Sequence, residues 1–224
     1  MNATSYSPER RPLGARHWSA SGAAARWLAT RGVSPDAISL TGLFASLGAG
    51  AALALTGWGY RPAPPLILAC ILILLRGCCN MLDGMVAVST GKASRRGELF
   101  NEVPDRLSDS ATLVGAGYAL GGVPALGYLA ALAAVFTAYV RVQGCALGAK
   151  ADFRGPMAKV QRMFAVVAAA LYIAFAPASW QPVLSSASPA GVMALALLLI
   201  IAGCVLTALL RLRRCARHLQ EAPP

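Results

Sequence analysis

Histidine and acidic side chains are scarce in this sequence. Its 224 residues include two histidines and nine aspartates or glutamates, against 20 lysines and arginines. Both histidines, His17 and His218, lie near the ends of the chain. We therefore do not expect a serine or cysteine nucleophile activated by histidine inside a folded core. Any catalytic chemistry must rest on carboxylates, amides, basic groups and a metal ion.

Charged residues are few as well. They make up 13% of the sequence, and hydrophobic residues make up 57%, whereas soluble domains contain about 25% charged residues. The formal net charge is nevertheless +11. This combination excludes a disordered chain and argues against an ordinary soluble enzyme. It favours a small integral membrane protein whose positive charges are clustered.

The six cysteines show no paired spacing of the kind that binds metals, and most lie in apolar stretches. The adjacent residues Cys78 and Cys79 allow two interpretations, a redox-active pair or two small hydrophobic core residues. We favour the second, because unpaired cysteine usually packs as a small apolar side chain.

The apolar segments predict an all-α fold, an integral membrane bundle of six transmembrane helices with an N-terminal amphipathic surface helix near Trp27. Ser34 as N-cap and Pro35 at the first helical position predict where the first span begins. The expected spans cover residues 36–58, 65–83, 97–120, 124–142, 157–175 and 189–210. The chain then divides into an N-terminal segment (1–34), a membrane domain (35–212) and a basic tail (213–224).

The basic residues predict the orientation in the membrane. They precede the first span, lie between spans two and three and between spans four and five, and follow the sixth, whereas the opposite loops carry only Arg61. The positive-inside rule then places both termini and the two basic loops in the cytoplasm, in a bacterial-type inner membrane. We interpret the basic tails as topology signals that contact anionic lipid, and we expect no nucleic-acid partner.

The acids are concentrated in one window. Five of the nine fall within residues 83–109: Asp83, Glu98, Glu102, Asp105 and Asp109. Carboxylates at membrane depth usually face a bundle interior and mark a functional site, here one that opens to the cytoplasm. Four residues of the third span share one helical face, because they follow each other at intervals of four: Gly97, Asn101, Asp105 and Asp109.

Oxygen ligands from two facing helices suit a hard divalent cation such as Mg²⁺ or Mn²⁺. Gly84, Ala87 and Gly97 are small enough to let a ligand approach the backbone. The loop residues Lys92, Arg95 and Arg96 supply positive charge for a phosphate. The alternative is a polar ladder that only holds the two helices together.

The spacing also forms one long pattern. Asn80-Met81-Leu82-Asp83-Gly84-Met85-Val86-Ala87-Val88 is followed by eight residues, then Gly97, and then Asn101 and Asp105 at intervals of four. Every gap matches the signature of the CDP-alcohol phosphatidyltransferases, and the chain resembles that family. The resemblance implies a membrane transferase of phospholipid biosynthesis. It moves a substituted phosphate from a CDP-linked lipid such as CDP-diacylglycerol to an alcohol and releases CMP. It also implies a homodimer.

The resemblance implies a role for each matching residue. Metal ligands would be Asn80, Asp83, Asn101 and Asp105, and the base would be Asp105. We add Asp109 as a second candidate base, because it lies one turn further on the same helical face. The donor nucleotide would lie on Gly84, Ala87 and Gly97. We add Arg76 to the donor site, because it aligns with Asn80 and Asp83 on one face; the alternative is an ion pair with Asp105 or Asp109. A phosphorylated alcohol would contact Arg141, Lys159 and Arg162, whose alternative role is positive-inside flanking.

Three departures from the family pattern affect the site. Asparagine replaces aspartate at Asn80 and Asn101, and Val88 stands where an arginine is expected. The four ligand positions then carry two negative charges, a poor match for two divalent ions. Two alternatives keep the site active: one ion whose shell is completed by donor phosphates, or recruitment of Glu102 or Asp109 as a substitute carboxylate. The remaining alternative is a catalytically retired protein that binds metal or lipid nucleotide without turnover.

Overall fold

In the computed structural model, the described residues are 18–59, 62–91, 95–182 and 190–221. Over these ranges the chain forms seven α-helices, one short 3₁₀ helix at Ala178–Trp180 and no β-strand, which confirms the all-α prediction. The helices are α1 (Ser19–Thr30), α2 (Pro35–Gly57), α3 (Ala63–Ser89), α4 (Arg95–Tyr118), α5 (Pro124–Ala146), α6 (Lys159–Phe175) and α7 (Val192–Glu221).

The start of α2 agrees with the sequence signal. The Oγ atom of Ser34 accepts a hydrogen bond from the backbone N–H of Ala37 at 3.1 Å, and Pro35 is the first helical residue. The predicted N-cap is therefore confirmed. A serine in this position satisfies one of the N–H groups that the first turn leaves without a partner.

Two helices run further than expected. We predicted that the second span ends near Asp83, but α3 continues to Ser89, so Gly84 and Ala87 lie on the helix. We also predicted a tail from residue 213, but α7 continues to Glu221. In α7, arginine, alanine and leucine extend the helix past the apolar run, because helix propensity does not require hydrophobicity. Two predicted loop residues lie outside the described residues, namely Arg61, the basic residue of the opposite loops, and Lys92, a predicted positive charge for phosphate.

Four of the described helices are long and apolar enough to cross a membrane, namely α2, α3, α5 and α7. The chain is an integral membrane protein on this ground. Helix α4 is polar over its first half, and it contains Pro104. Helix α6 is apolar but has only 17 residues.

The chain divides into two compact units. Unit 1 consists of residues up to Ala45 together with Leu74–Ser108. Its small apolar core joins α1, α2 and α3 through Ala25, Ile38, Cys79 and Val86. Cys79 is therefore a core residue, as we favoured, whereas Cys78 is exposed.

Unit 2 consists of Ser46–Ile73 together with Asp109–Pro224. Its larger core contains residues from α2 to α7, and α7 packs against α5 and α6. Small residues bring backbones together here. A Cβ atom on Gly50 of α2 would lie 2.5 Å from the carbonyl oxygen of Ala111, and one on Gly115 of α4 would overlap the backbone of Gly50. Such small-residue contacts are typical of helix association in membranes.

Candidate active site

Asp105 is the centre of a buried polar cluster in unit 1. The guanidinium of Arg76 on α3 forms an ion pair with its Oδ1 atom. The Nδ2 atom of Asn80, one turn further along α3, donates to Oδ1 at 2.9 Å and to Oδ2 at 3.2 Å. Arg106 lies 3.6 Å from Oδ2. The structure therefore brings together three of the predicted site residues, and of the two predicted partners of Arg76 it selects Asp105.

Asp83 is buried on the same helix and has a different set of contacts. Its Oδ2 atom accepts a hydrogen bond of 2.8 Å from the Oγ atom of Ser39 on α2. Its Oδ1 atom accepts the backbone N–H of Gly84 at 2.5 Å. Both oxygens are thus oriented by neighbouring groups, which holds the carboxylate in one position.

The donor set has the chemistry of a site for one hard cation. Within the described ranges, no group of three or more His, Cys, Asp or Glu side chains is placed to hold a metal ion. The four predicted ligands are two carboxylates and two amides. The Oδ1 atom of Asn101 is buried and has no hydrogen-bond partner. A buried oxygen of this kind needs an explanation, and coordination of Mg²⁺ or Mn²⁺ supplies one. The chemistry of these residues therefore fits a hard divalent cation.

The remaining unit 1 residues lie along the same two helices. Gly84, Ala87 and Gly97, the predicted donor seat, are half-buried. Glu102, proposed as a substitute ligand, lies 3.3 Å from the guanidinium of Arg106. The guanidinium of Arg96 stacks over the ring of Phe100 at 5.3 Å.

Asp109 belongs to unit 2 and contacts a different arginine. Its Oδ2 atom lies 2.7 Å from Nη2 of Arg162 on α6. Nη1 of Arg162 donates to the carbonyl oxygen of Met157 at 3.0 Å and lies 3.5 Å from Oγ1 of Thr137 and 3.9 Å from Sγ of Cys204. Arg162 thereby links α4, α5, α6 and α7, in addition to any part in acceptor binding.

The other predicted acceptor residues are also in unit 2. Lys159 is buried at the first position of α6. The guanidinium of Arg141 lies over the ring of Phe153 at 5.1 Å. Arg211 of α7, which we did not predict, is buried and donates to the carbonyl oxygens of Thr137 at 2.8 Å and Arg154 at 3.1 Å.

The loop before α6 is fastened to α7 by Asp152. Its Oδ2 atom accepts Nη1 of Arg214 at 2.8 Å, and its Oδ1 atom accepts the backbone N–H of Arg154 at 2.9 Å and Nε of the same residue at 3.0 Å. Burial alone would raise the pKa of the Asp152 carboxyl, but the hydrogen bonds from Arg214 and Arg154 outweigh it and lower that pKa.

Three further residues of unit 1, which the sequence patterns did not indicate, contact the predicted site residues. Ser39 holds Asp83, Ser108 accepts Nε of Arg76 at 3.2 Å, and Gly42 leaves room for Arg76. Ser39, Gly42 and Ser46 follow each other at i, i+3 and i+7, which places three small residues on one face of an apolar helix. That spacing was a signal that α2 faces a polar neighbour.

Long apolar helices that carry buried carboxylates and arginines are typical of a membrane-embedded enzyme. The CDP-alcohol phosphatidyltransferase family model matches residues 33–209, and the chain belongs to that family. It is therefore a membrane transferase of phospholipid biosynthesis that moves a substituted phosphate from a CDP-linked lipid to an alcohol.

Similarity to a curated enzyme supports this assignment. The chain is 34% identical over 145 residues to archaetidylinositol phosphate synthase of Aeropyrum pernix, a match that covers 64% of this chain and 70% of the relative.

The fold is similar to that of Mycobacterium tuberculosis phosphatidylinositol phosphate synthase. The structure in complex with manganese and citrate has a TM-score of 0.68 and 21% identity, and the match covers 88% of both chains. The structure with CDP-DAG bound has the same TM-score and 20% identity, and the match covers 91% of this chain and 94% of that one. Manganese in the first structure agrees with the predicted divalent cofactor.

Proposed function

We propose that this chain transfers the lipid-bearing phosphate of a CDP-linked donor to a phosphorylated alcohol of the inositol phosphate type. The observation that carries the proposal is the 34% identity to an archaetidylinositol phosphate synthase. The fold neighbours are named for the same kind of product. Lys159 and Arg162 are buried basic side chains that we assign to the second phosphate, although Arg162 also neutralises Asp109 at 2.7 Å.

On the donor side, we assign Asp83, Asn80, Asn101 and Asp105 as the residues that hold a divalent ion. When bound, that ion supplies charge neutralisation at the donor pyrophosphate and for the departing CMP. The orientation of Asp83 by Ser39 and the buried oxygen of Asn101 support this assignment. Gly84, Ala87 and Gly97 let the cytidine and pyrophosphate approach the helix backbones.

The acceptor hydroxyl needs a base. We assign this role to Asp105, with Asp109 as the second candidate. The Oδ1 atom of Asp105 is held by Arg76 and Asn80, whereas its Oδ2 atom has contacts of 3.2 and 3.6 Å to Asn80 and Arg106. Oδ2 would receive the proton as the alcohol oxygen attacks the phosphorus that bears the lipid. The bond from that phosphorus to CMP then breaks.

We also propose six membrane spans, with α4 and α6 added to the four apolar helices. The 17 residues of α6 are about 26 Å long, near the lower limit for a span. Helix α4 ends at Tyr118 and α6 ends near Tyr172, and aromatic residues are typical of membrane interfaces. The distribution of basic residues supports cytoplasmic termini and a site that opens to the cytoplasm. Homodimerisation stays a prediction that rests on the family resemblance alone.

The test is an assay on the purified full chain. Radiolabelled CDP-diacylglycerol, Mg²⁺ or Mn²⁺ and one acceptor are supplied, and CMP release is measured. The acceptors are inositol phosphate, inositol, glycerol phosphate and serine. We expect release to require both metal and inositol phosphate, and to fall by about 10- to 100-fold or more in Asp83→Ala, since changes around a metal site cost about this much in activity.

Asp36→Ala is the matched control, because Asp36 is an exposed aspartate in the first turn of α2. It should keep the activity of the parent chain. If glycerol phosphate or serine supports release better than inositol phosphate, the proposed acceptor is wrong. If no acceptor supports release with either metal, the protein is a retired family member.

A further inference from the structure

Arg76 is a buried cation with a fixed orientation. It is 3% exposed, its Nη2 atom contacts Asp105, and its Nε atom donates to Oγ of Ser108 at 3.2 Å. Asp105 and Ser108 are three residues apart on α4 and so lie on the same face of that helix. Two side chains of one neighbouring helix therefore set the plane of the guanidinium.

Gly42 of α2 provides the space for this side chain. A Cβ atom at position 42 would lie 2.9 Å from Nη1 and 3.0 Å from Cδ of Arg76, and 3.0 Å from Cβ of Cys79. Contacts this short would displace the guanidinium or the helix. The position of Arg76 is thus determined by α2, α3 and α4 together.

Asn80 reinforces the same arrangement. Its Nδ2 atom donates to both oxygens of Asp105. An ionised aspartate in its place has no proton to donate and would add a second negative charge beside Asp105. The amide of Asn80 and the guanidinium of Arg76 therefore both stabilise the Asp105 anion without a metal ion.

Charge balance then limits how many divalent ions the predicted ligands can hold. Asp83 and Asp105 contribute two negative charges, Arg76 contributes one positive charge, and both asparagines are neutral. Arg106, which lies 3.6 Å from Asp105, is paired with Glu102 at 3.3 Å, so these two side chains add no net charge. Before a donor binds, one divalent ion would leave a net charge of +1 at the site, whereas two would leave +3, an excess that is costly for buried groups.

We infer that Arg76 is a built-in counter-cation that takes the electrostatic place of a second divalent ion at Asp105, so that the site binds one divalent ion. This inference rests on the proposed function, because it concerns the same site. It makes Arg76 a positioning residue, which acts through Asp105.

The experiment measures Mn²⁺ binding to the purified full chain, without turnover. Equilibrium dialysis gives the number of ions per chain, and electron paramagnetic resonance distinguishes an isolated Mn²⁺ from a spin-coupled pair. The variants are the parent chain, Asn80→Asp/Asn101→Asp, and the same double variant with Arg76→Met. We expect the parent chain and the double variant to bind one ion each. The triple variant should bind two ions per chain, and it alone should show spin coupling. Arg213→Met, which removes an exposed arginine of α7, is the control and should bind one ion.

Two ions, or none, in the parent chain would overturn the inference, and this result needs no variant to fold. Two ions in the double variant that keeps Arg76 would overturn it as well, and so would one ion in a folded triple variant. One ion in the parent chain without CMP release would leave the inference standing and reject the proposed function. CMP release by a parent chain that binds two ions would reject the inference and leave the proposed function standing.

Discussion

Each unit contains a buried arginine–aspartate pair, and the two pairs differ in what surrounds them. In unit 2, Arg162 contacts Asp109 and also a carbonyl, a hydroxyl and a thiol from three other segments. In unit 1, Arg76 contacts Asp105 and Ser108, and Asp105 has a second strong donor in Asn80. The same two residue types thus occur in two settings: in unit 2 several helices share the cation, whereas in unit 1 a single neighbouring helix supplies both of its partners.

The largest expected effect is the loss of Arg162. Arg162→Met leaves Asp109 buried without its cation, and breaking a buried pair in this way costs about 3–5 kcal/mol. We expect a lower melting temperature in detergent, measured by circular dichroism, that added Mn²⁺ does not restore. Arg213→Met, at an exposed position of α7, should melt as the parent chain does. A melting temperature unchanged in Arg162→Met would show that Arg162 does not hold the helices.

The next effect concerns the close backbones of unit 2. Gly115→Ala places a methyl group against the backbone of Gly50, and the helices must separate. Overpacking of this kind costs about 1–3 kcal/mol. Gly22→Ala in α1 is the control, because its Cβ atom would meet only the flexible end of Arg26 at 3.3 Å. Equal melting temperatures for the two variants would contradict the close approach.

Loss of Arg76 should destabilise less than loss of Arg162. In Arg76→Met, Asp105 keeps the amide of Asn80, so we expect the lower cost of an incompletely paired polar group, about 1–3 kcal/mol. A cation can replace the guanidinium, so Mn²⁺ should raise the melting temperature of this variant more than that of the parent. If Mn²⁺ has the same effect on Arg76→Met and Arg162→Met, the distinction between the two pairs is lost.

The smallest expected effect depends on pH and concerns Asp152, which lies in the loop before α6 and outside the apolar segments of the helices. The pKa of Asp152 is lowered in the folded chain, so its contribution is fully present above the ordinary carboxyl pKa of about 4 and disappears as the pH falls through the lower folded value. Asp152→Asn should cost about 1 kcal/mol or less at pH 7, because Arg154 and Arg214 are partly exposed. The melting difference from the parent chain should shrink towards pH 3. A difference that grows on acidification would contradict the lowered pKa.

The sequence predicted the helices better than the contacts. The Ser34-Pro35 signal and the apolar runs placed α2, α5 and α6 well, because capping and hydropathy are local properties. The end of α3 at Ser89 was missed, because an apolar run marks a membrane span and not the end of its helix. For the site, spacing placed Asn101, Asp105 and Asp109 on one face, but it did not show that Asp105 and Asp109 would contact different arginines. Partners that are 29 and 53 residues away depend on tertiary packing.

The amide of Asn80 also bears on how helices α3 and α4 pair with each other. A site rich in carboxylates repels itself until metal ions arrive, and helices that carry it are difficult to bring together in a bilayer. Here Asn80 and Arg76 of α3 bind Asp105 of α4 by direct contacts. These contacts join α3 to α4 without a bound metal ion, so the pairing of the two helices does not depend on the supply of metal.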